Sequence, residues 1–213
     1  MPRPSVAVID YGIGNLHSAQ KSLEVCGADA ILTADADVIA SADGVVLPGV
    51  GAFGACMDAL RAADLEAPTL GAVASGRPFL GICVGMQMLF TSSQEAPDAA
   101  GRDVIPGEVR WIPQVEGIKI PQMQWNRLDV VGRANGTTDP LLAGLGDDAW
   151  LYFVHSLHGV PDDAGVVAAT VEYGTTLNAA FRLGNVFAAQ FHPEKSSRPG
   201  LAMLTNFVQE CTP

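Results

Sequence analysis

Of the four cysteines, at positions 26, 56, 83 and 211, Cys83 has neighbours that suit a nucleophile. Residues 77 to 90 read RPFLGICVGMQMLF, an apolar strand running into Gly81-Ile82-Cys83-Val84-Gly85 and then a helix that begins near Met86. This is the pattern of a nucleophile elbow with cysteine in the serine position. A sharp strand-to-helix turn strains the backbone of the nucleophile, and glycines at 81 and 85 keep side chains from clashing beside it. The turn presents the sulfur to solvent, and the helix N-terminus favours the thiolate through free N–H groups and the positive end of the dipole. The plainer reading, a small buried hydrophobe, is the one we accept for Cys26, Cys56 and Cys211.

A thiolate that attacks an acyl carbon needs a base to take its proton and later protonate the leaving group. Imidazole suits both tasks near pH 7. Gln190-Phe191-His192-Pro193-Glu194 follows the apolar run 186–189 and offers His192 at a strand end. Glu194 lies two residues on, with Pro193 restricting the backbone between them, so it can fix the tautomer of His192 and stabilise the imidazolium. His155 and His158 compete for the same role, but Phe153-Val154-His155-Ser156 has no carboxylate nearby in sequence, and His155 is read as a pocket-lining residue. A metal site made from His155, His158, His192 and Cys83 finds no supporting ligand spacing, so neither metal nor cofactor is expected. Pro48-Gly49-Val50-Gly51-Ala52-Phe53 follows another buried strand and can aim a backbone N–H, at Gly49 or Val50, toward an oxyanion. The N–H of Val84 would be the second donor. An ordinary Pro-Gly turn is the alternative for this loop.

The elements that must hold these residues alternate in type. Strands are expected at 6–10, 30–33, 44–47 and 78–82, with helical stretches after the first Gly-rich turn and around 54–63 and 65–75. That alternation implies parallel, doubly wound strands. From about Val109 the texture changes to short β-type runs at 109–112, 128–131, 150–155, 166–173, 179–183 and 186–191, broken by Gly, Pro, Asn and Asp. A closing helix at 200–209 carries Leu201, Leu204, Phe207 and Val208 on one face. The expectation is an α/β fold with an open, mixed, mostly parallel sheet flanked by helices, and one domain over 1–213.

With 48% hydrophobic and 16% charged residues, the 213-residue chain can bury a large core. A formal net charge of -11 repels polyanions over most of the surface, which disfavours nucleic acid as a partner. Neither a signal-type apolar segment nor a run of ~18 apolar residues is present, so no membrane association is expected and the cytoplasm is the expected compartment. The cysteine spacing supports neither a disulfide framework nor a structural zinc site.

PGVGAF at 48–53, GICVGMQ at 81–87 and QFHPEKS at 190–196, in that order, closely resemble the triad-type, or class I, glutamine amidotransferases, whose sheet is flavodoxin-like. Within that family, DYGIGNLHSAQKSLE at 10–24, YFVHS at 152–156 and HPEKS at 192–196 are similar to the glutaminase subunits of imidazole glycerol phosphate synthase. The resemblance covers nearly the whole chain. It implies that Cys83 attacks the amide of glutamine, that His192 acts as acid and base with Glu194, and that water hydrolyses a glutamyl thioester. It further implies a heterodimer with a barrel-shaped cyclase subunit, which receives the ammonia and converts a phosphoribosyl-formimino carboxamide nucleotide to imidazole glycerol phosphate and an aminoimidazole carboxamide ribotide in histidine synthesis. By the same resemblance Gly51, Gln87, His155 and Ser156 belong near glutamine or the oxyanion loop, and Asn15, Met123, Trp125 and Lys195 near the partner. Gln122 and Gln124 stand where His and Gly are usual, and Leu157 where Tyr commonly follows HS. Service to another synthase (anthranilate, aminodeoxychorismate or guanylate type) or a non-catalytic scaffold are the alternatives. DYGIGN and PGVGAF argue against the former, and an intact triad against the latter.

Overall fold

The computed structural model describes residues 2–132, 136–146 and 148–212. Its centre is an eight-stranded sheet in the order β2-β1-β3-β4-β13-β12-β11-β8. The first five of these are β2 (Asp29–Thr33), β1 (Ser5–Ile9), β3 (Gly44–Gly49), β4 (Phe79–Cys83) and β13 (Val186–Ala189), all parallel to one another. Then β12 (Thr176–Leu183), β11 (Val167–Glu172) and β8 (Asp129–Val130) continue antiparallel. Val6 to Ile9, Val45 to Leu47 and Phe187 to Ala189 are fully or almost fully buried, which is why these strands read as unbroken apolar runs.

Among the described residues six α-helices accompany the sheet: α1 (Leu16–Val25), α2 (Ala36–Ser41), α3 (Phe53–Ala62), α4 (Glu66–Ala74), α5 (Val84–Gln87) and α6 (Ser197–Glu210). Helix α1 packs beside α6, and α2 beside α4. In α6 the buried stripe is Met203, Leu204, Phe207 and Val208; Leu201 is only half-buried, and Met203 takes the core position expected for it. Each such side chain contributes roughly 1.5–3 kcal/mol on burial. Helix α2 was not foreseen from periodicity. Its start is set by the Asp35 carboxylate, which accepts from the N–H groups of Asp37 and Val38.

Two smaller ladders complete the fold. β5 (Phe90–Ser93) runs parallel to β6 (Ile105–Trp111), which pairs antiparallel with β10 (Leu157–Pro161). β7 (Gln122–Arg127) pairs antiparallel with β9 (Trp150–His155). Strands β5, β7 and β10 are additions to the sequence reading. The helix expected from Met86 is corrected: it starts at Val84, makes one turn, and gives way to a strand at Phe90. Met86, Met88, Leu89 and Phe90 are all fully buried, so their apolar run carried no period that separates helix from strand. Among the described residues, no helix is long and apolar enough to cross a membrane.

Candidate active site

Three neighbouring parallel strands end at one place. In the register of β3 with β4, Gly49 lies opposite Cys83; in that of β13 with β4, Ala189 lies opposite Ile82. The oxyanion-type loop therefore emerges on one side of Cys83, and the segment from Gln190 to Glu194 on the other. Cys83 itself has φ 55 and ψ -116, a left-handed conformation that a side chain tolerates only when its surroundings enforce it. The enforcement is visible at Gly85, where an added Cβ would fall 1.9 Å from the Leu47 carbonyl oxygen. Gly49 is also tight, with a Cβ position 2.5 Å from the Gly85 nitrogen. Cys83 is 5% exposed and lines a cavity, so the elbow offers the residue to a cleft in the surface. With only one turn in α5, the helix dipole is a small part of the local field.

His192 and Glu194 are brought to the sulfur together. His192 Nδ1–H donates to Glu194 Oε1 at 2.8 Å, which leaves Nε2 for Cys83. Burial disfavours the imidazolium, but the hydrogen bonds to Cys83 and Glu194, with their coulombic attraction, outweigh it and push His192 up to about 10. The turn carrying both residues is pinned to β9. His192 N–H donates to the Tyr152 carbonyl at 3.0 Å, and the Ser196 hydroxyl accepts from Tyr152 N–H while donating to the His192 carbonyl.

The cavity has a volume of about 580 Å³, within the roughly 300–1,000 Å³ range of small-molecule sites. Val50, Gly51, Val84, Gln87, His155 and Ser156 line it beside Cys83 and His192, whereas Gly49 packs behind on the elbow backbone. Asn15 and Lys195 also line it. Asn15, assigned by resemblance to the partner side, directs its amide to Glu194 Oε1 at 3.4 Å. Met123 and Trp125 are 62% and 44% exposed and lie off the cavity. Directly paired residues share a face, so Met123 and Trp125 stand with Trp150, Tyr152 and Val154 on one side of the β7–β9 ladder, while Gln122, Leu151, Phe153 and His155 are buried on the other.

His155 is an interior group. Its Nδ1–H donates to the Leu157 carbonyl at 2.7 Å, and Nε2 lies 2.8 Å from Gln122 Oε1. Burial pushes His155 down to about 4, so its ring is neutral and Nε2 is an acceptor. The Gln122 amide must then turn its NH2 toward that nitrogen, which also gives its otherwise orphaned Nε2 a partner. Gln122, one of the three positions that depart from the resembled pattern, thus meets this imidazole through its side chain, whereas Leu157 does so through its main-chain carbonyl, which any residue there would supply.

Sequence reasoning missed Glu95, Tyr11, Cys56 and Gln190. Glu95 lines the cavity with one carboxylate oxygen held by Phe53 N–H at 2.6 Å. Nothing in its sequence neighbourhood signals this. Tyr11 donates its hydroxyl to the Pro48 carbonyl at 2.7 Å, and the Cys56 thiol donates to the Val50 carbonyl at 3.2 Å. The two flanks of the Gly49–Val50 peptide are therefore anchored. No cluster of His, Cys, Asp and Glu suited to a metal ion occurs among the described residues.

The chain matches the family described as glutamine amidotransferase class-I over residues 7–211. It belongs to that family. Among curated relatives of this amidotransferase, imidazole glycerol phosphate synthase subunit HisH from Syntrophotalea carbinolica is 50% identical, covering 95% of this chain and 98% of the relative. The subunit of the same description from Geobacter metallireducens is 48% identical, covering 96% and 97%. Among solved structures, PurLQS from Thermotoga maritima superposes with TM-score 0.69 at 19% identity, covering 98% of this chain and 97% of that one. A structure described as a glutamine amidotransferase gives TM-score 0.70 at 21% identity, covering 97% and 98%. These two likenesses establish a shared amidotransferase fold, with its mostly parallel sheet flanked by helices.

Proposed function

We propose that this amidotransferase is the glutaminase subunit of an imidazole glycerol phosphate synthase, a single domain over 1–213 working in the cytoplasm with Cys83, His192 and Glu194 as its triad. The observation that carries the chemistry is the row Cys83–His192–Glu194 at the wall of a cavity sized for a small molecule. The choice of synthase rests on the HisH relatives.

In this reading the Cys83 thiolate, paired with the His192 imidazolium, attacks the side-chain carbonyl carbon of glutamine. The oxygen gains charge and is met by the N–H groups of Val84 and of the Gly49–Val50 peptide. Collapse of the tetrahedral intermediate sends the C–N electron pair to nitrogen, which takes the proton from His192 Nε2 and leaves as ammonia. A water molecule then gives a proton to His192 and attacks the thioester; the C–S bond breaks, and glutamate leaves. Glu194 holds the imidazole tautomer throughout. Glu95 supplies a carboxylate for the α-ammonium group of the substrate, with Gly51, Gln87, His155 and Ser156 shaping the rest of the site.

Ammonia released into neutral water is protonated and no longer nucleophilic, so a cyclase partner must dock over the site and take it through a closed passage. The exposed apolar face of the β7–β9 ladder, bearing Met123, Trp125 and Trp150, suits that role, with Lys195 at the cavity rim. A complex of this chain with a purified cyclase tests the reading. Cys83→Ala is expected to abolish glutamine-dependent formation of imidazole glycerol phosphate while ammonium salt still supports it. Equal loss with both nitrogen sources would overturn the assignment.

A further inference from the structure

Two buried carboxamides form a row that ends on the nucleophile. Gln87 Nε2 donates to Gln190 Oε1 at 3.0 Å, and Gln190 Nε2 lies 3.8 Å from Cys83 Sγ. Gln190 is 0% exposed and Gln87 4%. A carboxamide sealed from water is costly unless it is hydrogen-bonded, and the side-chain bonds of Gln190 run to Gln87 and to Cys83. Its backbone N–H is already bonded to the Ala179 carbonyl at 2.9 Å, so the side chain is not needed to secure the strand end.

The direction of the row follows from the charge of the sulfur. A thiolate accepts and cannot donate, so the Gln190 amide must turn its NH2 to Sγ and its oxygen to Gln87. That is the orientation in the structure. We propose that Gln190 is a catalytic residue, its carboxamide N–H donating to the Cys83 sulfur, and that Gln87 is the positioning residue that fixes this orientation. The inference rests on the reading of Cys83 as the nucleophile.

Its effect differs along the reaction. A bond to an anionic acceptor is about twice as strong as one to a neutral acceptor. In the thioester the sulfur is neutral and accepts weakly; when water has added and the C–S bond breaks, the electron pair returns to sulfur and the Gln190 N–H receives it. Gln190 therefore assists departure of the sulfur from the acyl-enzyme and holds the regenerated thiolate ready. Gln87 touches both the cavity and this amide, so the substrate and the nucleophile share one polar network.

The test uses the complex with the cyclase subunit, iodoacetamide as the probe of Cys83 from pH 5 to 9, and mass measurement of the intact chain during glutamine turnover. Gln190→Met keeps length and volume but removes the donor. It is expected to slow Cys83 alkylation about tenfold near pH 6.5, to displace the pH profile upward, and to accumulate glutamyl thioester. Gln190→Glu places a carboxylate against the sulfur and should be slower still; Gln87→Met should fall between wild type and Gln190→Met. A Gln190→Met profile that superimposes on wild type, or one lowered equally at every pH with no thioester, would overturn the proposal. Should Gln190→Met not fold, Gln87→Met decides: an unchanged profile there overturns it equally. Failure of the underlying reading has its own signature, retained glutamine turnover in Cys83→Ala.

Discussion

At the scale of single residues, the site depends on what each polar group faces. His192 is held protonated by the sulfur and by Glu194, and the latter bond fixes its ring. Glu194→Gln keeps the shape but removes the charge, so single-turnover thioester formation should slow at least ~100-fold while glutamine still binds. Near-normal turnover would remove Glu194 from the triad. Cys83 and His192 were legible because each stands at the end of an apolar strand, where side chains emerge into clefts. Gln190 was legible too, though it was overlooked: it precedes His192 by two, and alternation along an extended segment puts both on one side. Glu95 and Cys56 were not legible. Glu95 is brought from 42 residues away to the Phe53 N–H, and Cys56 turns back six residues to the Val50 carbonyl from within α3; neither carries a local pattern.

At the scale of elements, the elbow is a matter of clearance. The strand-to-helix turn of Cys83 is sealed by the backbone of Leu47 pressing on Gly85. Gly85→Ala should therefore cost more than ~3 kcal/mol, measured by denaturant unfolding, and remove glutamine turnover, because a main-chain atom has to move. Full stability in this variant would show that the turn can relax. The parallel strands could be read from their continuous apolar runs. The β7 strand could not: its outward positions carry Met123 and Trp125 while its buried first residue is Gln122, the reverse of the apolar-in pattern on which strand reading depends. Nor does composition disclose that β13, in the antiparallel half of the chain, crosses to lie parallel beside β4. That insertion is what delivers His192 to Cys83.

At the scale of the whole molecule, buried histidines make stability depend on pH in two directions. Burial first, then the nearby charges of His192 and Arg110, keep His155 and His158 neutral down to about 4. Unfolded imidazoles take up protons near pH ~6.5, so stability should fall as pH drops from about 6.5 to about 4, by on the order of a few kcal/mol. His192 has the opposite sign, its contribution being full below ~6.5 and lost as pH rises through about 10. Thermal melts at pH 7.5 and 4.5 check the acid limb: the gap in Tm should narrow in His158→Leu, and an equal gap would remove His158 as a source. Docking of the proposed cyclase carries the other prediction at this scale. The Pro48 and Val50 carbonyls are anchored by Tyr11 and Cys56, the Gly49–Val50 peptide lies between these two fixed points, and Gly51 beside it has φ 85. Docking with nucleotide bound is expected to raise glutamate release at least ~10-fold, about 1.4 kcal/mol of barrier, by favouring the oxyanion-binding orientation. Equal, fast release by the chain alone, with cyclase and with cyclase plus nucleotide would remove this gating.

The turn that carries both His192 and Glu194 has a kinematic consequence. His192 and Glu194 are two residues apart, His192 capping the short 3-10 turn that holds Glu194, and the pair is stapled to β9 through Ser196 and Tyr152, so they travel as one rigid part. The sulfur belongs to a second part, the elbow, locked by its own close contacts. Assembly of the catalytic row thus reduces to one joint between two stiff bodies. A signal arriving at the rim has few coordinates on which to act: the spacing across that joint, and the rotation of one peptide.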